Sequence, residues 1–259
     1  MSAGDLFDLS GRVALITGST RGIGLAIARA LAAHGAKVVV SSRKADACER
    51  AREQIAAAGG DAFAFACNVG YKEQLQALVD ASLAHYGRID VLVCNAATNP
   101  YMGPLQDISD EAFDKIMGTN VRSNVWLCNM VLPQMAANGG GAAILLSSIA
   151  GLQGTRHLGA YALSKAADSQ LARNLAVEWG ARNVRINCIA PGIIRTDFAK
   201  ALYENPAVYK TAVAHYPLGR LGEVDDVAGA AVFLASRAGA FVTGQTLVID
   251  GGTTIAGFD

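Results

Sequence analysis

The alternation of short, almost wholly apolar runs with longer helix-forming stretches constrains this chain more than any other feature. β-Branched runs fall at residues 13–17, 37–41, 89–94, 143–147, 184–189 and 246–249, and DAFAFAC at 61–67 makes a weaker seventh. They are near-continuously apolar rather than alternating, which is how strands covered on both faces read. The stretches between them, 22–34, 45–58, 72–86, 110–136, 161–180 and 224–236, have helical length and composition. Strand–helix alternation from end to end predicts an α/β fold, one doubly wound parallel sheet of about seven strands flanked by helices. Of the 259 residues 52% are hydrophobic and 17% charged, enough apolar material for one core in a single domain spanning 1–259.

Turn residues support these boundaries. Gly35 and Gly59-Gly60 follow helices, Ser109-Asp110-Glu111 offers an N-cap with an acidic first turn, and Asn138 with three glycines breaks the chain before a strand. The long non-alternating segment at about 191–223 carries Phe198, Tyr203, Tyr209 and Tyr216. Beyond a strand's C-terminal end, an insertion of that size is expected to cover a substrate.

Several function classes are excluded by composition. Lys+Arg and Asp+Glu number 22 each, so the net charge is zero and no electrostatic footprint for nucleic acid exists. No apolar run reaches the ~18–20 residues of a membrane-spanning helix. The opening MSAGDLFDLSGRVALITG has two aspartates and no basic region before its first apolar run. No secretory signal is therefore expected, and the expected location is cytoplasmic. Cys48, Cys67, Cys94, Cys128 and Cys188 are odd in number and scattered, and the four histidines lie far apart. Neither a disulfide framework nor a metal site is expected; the cysteines read as small core residues.

Directly after the first strand comes Thr17-Gly18-Ser19-Thr20-Arg21-Gly22-Ile23-Gly24, leading into a helix. Glycines so spaced let the chain turn sharply and bring backbone N–H groups and a positive helix end to a pyrophosphate. Tight strand–helix packing alone could also ask for them. A carboxylate for an NAD ribose would lie at the end of strand two. That region reads Val40-Ser41-Ser42-Arg43-Lys44, two hydroxyls and two cations, with Arg21 beside them in the glycine turn. Guanidinium groups clamp a 2′-phosphate that a carboxylate would repel, which points to NADP; the plainer alternative is a solvated helix start.

Tyr161 and Lys165 stand four apart at the start of a helix, on one face, and Ser148 ends a strand 13 residues upstream of the tyrosine. Singly, each is ordinary surface decoration. Together, downstream of a nucleotide-binding turn, they suit carbonyl chemistry. A tyrosine hydroxyl, with a pKa near ~10, needs a neighbouring cation to become a working base, and a serine hydroxyl can hold the oxyanion.

With the turn at 17–24, Cys67-Asn68-Val69, Asn95-Ala96-Ala97, Asn120, Ser148, Tyr161-x-x-x-Lys165 and Ala190-Pro191-Gly192, the chain resembles the short-chain dehydrogenase/reductase family over essentially its full length. The resemblance implies a Rossmann-like sheet. It implies Tyr161 as general acid/base, Lys165 on the nicotinamide ribose, Ser148 on the substrate oxygen and Asn120 positioning a water. It also implies that Gly18, Ser19, Thr20, Arg21, Ile23, Ser42, Arg43, Asn68, Val69, Asn95, Tyr161, Lys165, Ile194 and Thr196 surround the cofactor, and that the protein is a homotetramer. Two departures stand out: Ala97 replaces a common glycine and Asn68 a frequent aspartate.

Within the family, Ser41-Ser42-Arg43-Lys44 and Asn95 to Pro100 look like the NADP-dependent carbonyl (retinal) reductase branch. The implied reaction interconverts a ketone or aldehyde with its alcohol. Tyr101, Met102, Gln153, His157, Phe198 and Tyr203 are candidate substrate walls, or equally packing residues. One alternative is a 3-oxoacyl-thioester (acyl-carrier-protein) reductase, whose acidic partner calls for basic residues beside the site; Arg182 is the candidate. Another is a non-catalytic NADP sensor, which would have lost Ser148, Tyr161 or Lys165. A serine hydrolase built on Ser148 and His157 lacks the G-x-S-x-G elbow.

Overall fold

The computed structural model describes residues 6–196, 204 and 206–256. Seven strands, β1 (Val13–Thr17), β2 (Lys37–Ser42), β3 (Ala62–Ala66), β4 (Val91–Cys94), β5 (Gly141–Leu146), β6 (Val184–Pro191) and β7 (Thr246–Ile249), form one all-parallel sheet. Their order is β3-β2-β1-β4-β5-β6-β7. The helices are α1 (Gly22–Ala33), α2 (Ala45–Ala57), α3 (Lys72–Tyr86), α4 (Asp110–Met117), α5 (Ser123–Ala137), α6 (Gly159–Trp179), α7 (Pro206–Ala214) and α8 (Val224–Ala235).

Period-2 side-chain alternation explains why the strands are apolar throughout. Ile16, Val38, Val40 and Val93 face α1, α2 and α8, packing with Ile27, Leu31, Ile55 and Val232. Leu15, Val39, Leu92 and Leu145 face the other way, against Leu75 and Leu78 of α3, Leu127 and Val131 of α5 and Leu175 of α6. All five cysteines are buried and unbonded to one another. Among the described residues, no helix is long and apolar enough to cross a membrane.

The expected helix over 110–136 is not continuous. It is α4, then a wider π-helical turn over Gly118–Arg122, then α5. Such a turn shifts the register of everything after it and is common beside functional groups. Here it carries Asn120, whose side chain is fully buried. Elsewhere boundaries differ by one to three residues from expectation: β4 starts at Val91 rather than 89, β6 runs on to Pro191, and α6 begins at Gly159. Strand order reverses between β1 and β4, so the crevice beyond their C-terminal ends is where a doubly wound fold receives its ligand. Phe198 and Tyr203, expected to wall the substrate, lie outside the described residues.

Candidate active site

The glycine turn closes β1 onto its neighbours. Gly18 has φ +65°, and a Cβ at Gly24 would collide with the Gly18 carbonyl and come within 2.5 Å of Asn95 Nδ2, so the turn admits no side chain there. Asn95 Nδ2 donates to the carbonyls of Thr17 (2.9 Å) and Gly18 (3.0 Å), while Thr17 Oγ1 accepts from the backbone N–H groups of Asn95 and Ala96. Ser19, fully buried, donates to Ile16 O and accepts from Ser41 N. The side chains of Ser19 and Asn95 thus set the shape of the cradle. α1 starts with no side-chain cap and no acid in its first turn, which leaves its positive end suited to a phosphate.

The other expected cofactor neighbours gather around this cradle's rim. Thr20 and Ile23 are half-buried in the turn and Arg21 is exposed. Thr196 lies against the turn, 3.4 Å from where a Cβ on Gly22 would stand, and Ile194 is buried behind it. Ser42 contacts Cys48, and Arg43 and Lys44 are exposed where β2 passes into α2. After β3, Asn68 Oδ1 accepts from Gly70 N in a tight turn, with Val69 buried beside it. Glycines, an open helix end and cations are the residues a pyrophosphate with a further phosphate needs, so the donor set fits a nicotinamide dinucleotide.

The residues expected to react come from two elements locked together. Ser147, at the end of β5, donates from Oγ to the carbonyl of Lys165 (2.7 Å). Gly151 packs so closely on α6 that a Cβ would lie 2.7 Å from the Ala166 nitrogen. Ser148, between them, is half-buried and caps the short turn Ile149–Gly151 through Ala150 N. The same anchoring brings this turn to Tyr161 and Lys165 on the first turns of α6. The Lys165 Nζ stands 5.8 Å from the Tyr161 ring centroid. The loop after β4 is stitched to the loop after β5 by Gly103 N donating to His157 O (2.9 Å). Of the expected substrate walls on these two loops, Tyr101 is half-buried and Met102, Gln153 and His157 are exposed.

Asn120 spends its whole side chain on the scaffold. Oδ1 accepts from Thr98 N (2.8 Å), and Nδ2 donates to Thr98 O and to Ser164 Oγ (both 3.0 Å). Ser164 in turn donates to Tyr161 O. Its main-chain carbonyl accepts from Asn124 Nδ2 (2.7 Å), so a water held by Asn120 would take a second lone pair of one of its two oxygens.

Asn124 and Asp168 escape a reading of the sequence. Asp168 accepts from Lys165 Nζ at 3.0 Å and from Asn124 Nδ2 at 2.9 Å, and Lys165 Nζ also donates to Leu146 O. Burial pulls the Lys165 ammonium down, but Asp168 foremost, with Tyr161 and Cys188, more than offsets it and holds it above the ordinary lysine value; burial also raises the Asp168 carboxyl, against the pull of Lys165 and Asn124. The one available signal was an acid three residues beyond the lysine on a helix. Among the described residues, no group of three or more His, Cys, Asp or Glu is placed to hold a metal ion. A separate open cavity of about 490 Å³ beyond β6 and β7, lined by Ile193, Tyr216 and Arg220 among others, includes none of these groups.

Known proteins resemble this chain over nearly its whole length. A family model described as enoyl-(acyl carrier protein) reductase matches residues 18–254. Dehydrogenase/reductase SDR family member 4 of Oryctolagus cuniculus is 43% identical over 244 residues, 94% of each chain. A 7α-hydroxysteroid dehydrogenase solved with NADH and 7-oxo glycochenodeoxycholic acid superposes with a TM-score of 0.93 at 39% identity, covering 97% of this chain and 98% of that one. A gluconate 5-dehydrogenase from Burkholderia cenocepacia, solved with NADP and tartrate, gives 0.94 at 35% identity, covering 99% and 100%. With a family model and relatives matching nearly its whole length, the chain belongs to the short-chain dehydrogenase/reductase family, oxidoreductases that interconvert alcohol and carbonyl groups with a nicotinamide cofactor.

Proposed function

We propose that this protein is an NADP(H)-dependent carbonyl reductase in which Tyr161 exchanges the proton. The observation that supports this is the locking of the turn after Ser148 onto α6 at Lys165 and Ala166, together with the Lys165 ammonium 5.8 Å from the Tyr161 ring centroid. The bound nicotinamide supplies or receives the hydride. In reduction, Ser148 Oγ donates a hydrogen bond to the substrate oxygen and Tyr161 passes its phenolic proton to that oxygen as negative charge develops there. The Lys165 ammonium stabilises the phenolate left behind. In oxidation the phenolate takes the alcohol proton back.

The NADP preference rests on this chain's own residues. Solved relatives divide, one holding NADH and another NADP. Here β2 ends in Ser41-Ser42-Arg43-Lys44, with two exposed cations and no acid at the ribose position. For the substrate, Met102 and Leu152 expose apolar surface on the two stitched loops, which suits a ketone or aldehyde with a bulky apolar body. The steroid dehydrogenase whose fold this chain shares handles such a ketone.

The test is NADPH oxidation with ketones, retinal-like aldehydes and 3-oxoacyl thioesters, each paired with NADH, for the parent and Tyr161→Phe. The expected outcome is turnover of apolar ketones or aldehydes with NADPH, reduced at least about a thousandfold in Tyr161→Phe with the fold intact. Full turnover by the phenylalanine variant would overturn the mechanism. Preference for thioesters would move the substrate class to acyl-carrier reduction.

A further inference from the structure

Lys165 and Asp168 form a fully buried ion pair behind the phenol, with side chains 3% and 0% exposed. An ammonium has three donors. One goes to Leu146 O at the end of β5 and one to Asp168 Oδ2, which leaves one on the side of Tyr161. The second oxygen of Asp168 accepts from Asn124 Nδ2, whose other hydrogen goes to the carbonyl of Asn120. The π-helical turn that carries Asn120 is thereby coupled to the lysine through three hydrogen bonds.

Other titratable groups lie around this pair. They are Tyr161 on the same helix and the thiols of Cys94 on β4, Cys128 on α5 and Cys188 on β6, with the charge of Arg173 also felt at Cys188. Burial, aided by Asp168, pushes the Cys188 thiol up to about 12. A hydrogen bond to Cys128, together with burial, carries Cys94 well above the ordinary thiol range. Both are neutral near pH 7. A lysine this buried and lacking a counter-charge would be pulled down by as much as ~3–5 pH units, so it would lose its proton within the working range.

We propose that Asp168 is a positioning residue of this active site: its carboxylate keeps Lys165 an ammonium whether or not cofactor is bound, and pins it so that its remaining N–H faces Tyr161. The proposal rests on the reading of Tyr161 as the proton-exchanging group. Asp168 itself touches neither substrate nor cofactor. It acts through Lys165, and Asn124 holds it in register with the Asn120 turn.

Two measurements test this in the full-length protein. ¹⁵N NMR of the Lys165 Nζ, identified by its loss in Lys165→Met, is expected to show an ammonium at pH 7 in the parent and a neutral amine in Asp168→Asn. In alcohol oxidation, the pH profile of kcat is expected to move upward by about one unit or more in Asp168→Asn, about a tenfold loss at pH 7, while KM for the alcohol changes less than about threefold. Asn124→Ala, which leaves the ion pair standing, is expected to move the profile the same way by less, and it serves if Asp168→Asn does not fold. A Lys165 that stays an ammonium in Asp168→Asn overturns the proposal. So does an unmoved pH profile in an enzyme whose Tyr161→Phe variant is inactive. If the parent turns over no carbonyl or alcohol, the proposed function fails instead, and the Nζ resonance still decides the charge role of Asp168.

Discussion

Arg43 stands exposed where β2 passes into α2, and the helix that follows has no side-chain cap at its N-terminus. Under the proposed NADP preference, a guanidinium there would form a forked, charge-assisted contact with the 2′-phosphate, worth roughly 1.5–3 kcal/mol. Arg43→Ala is accordingly expected to raise KM for NADPH about tenfold to a hundredfold while leaving KM for NADH within about twofold. Steady-state kinetics with both cofactors checks this, and an equal effect on the two would remove Arg43 from phosphate recognition. The sequence can propose such residues because their signals are local: a missing acid at the end of strand two, or a tyrosine and lysine one turn apart. Asn95 was legible as a neighbour of the cradle, but not as the group that spends its amide on Thr17 and Gly18. That pairing joins residues 77 and 78 apart, and nothing short of the β1–β4 adjacency announces it.

At the scale of elements, α8 shows how a helix end fixes a core. Asp226 accepts from Glu223 N (2.8 Å) in a capping box and pairs with Arg220 through both oxygens (2.6 and 2.9 Å). The Arg220 hydrogen bonds and then the Glu223 N–H hold its pKa down to about 2. A depressed carboxylate stabilises fully above its ordinary pKa, and that contribution fades as pH falls from about 4 toward 2. Both side chains of the pair are a third or more exposed, and there solvent screening limits the contribution to about 1 kcal/mol. Asp226→Asn is therefore expected to unfold in denaturant with about 1 kcal/mol less stability at pH 7, the gap narrowing below about pH 4. A gap that stays constant down to pH 3 would refute the ionic origin. Most elements were legible because each hides its apolar stripe or face where the periodicity says. The wide turn at Gly118–Arg122 was not: its one glycine, Gly118, is also tolerated inside a continuous helix, and what stabilises the turn is tertiary, the burial of Asn120 between Thr98 and Ser164. Asp168 was hidden for a related reason. An acid beyond a lysine on a helix reads as a solvated pair until the sheet shows that this face of α6 is sealed by β5 and β6.

For the whole molecule, the apolar surface left over argues for assembly. Isolated exposed apolar residues are normal. Here, though, Val177 on α6 is 88% exposed and Leu163 on the same helix half-exposed, while Phe241, ahead of β7, is fully exposed. Exposed apolar side chains at two separate places, one on the helix that bears Tyr161 and Lys165 and one beside the last strand, suit two distinct two-fold interfaces, and two such axes make a tetramer of dihedral symmetry. We propose that arrangement for this chain. Because α6 carries both the expected reacting groups and the exposed Val177, assembly and catalysis are expected to respond together. Light scattering is expected to show a particle of four chains, Val177→Asp and Phe241→Asp each giving dimers, and the double variant monomers. Activity should fall most with Val177→Asp, since that charge sits on the helix that presents the phenol and the ammonium. A parent that scatters as one chain at micromolar concentration would dismiss the assembly, and the exposed side chains would then be ordinary surface.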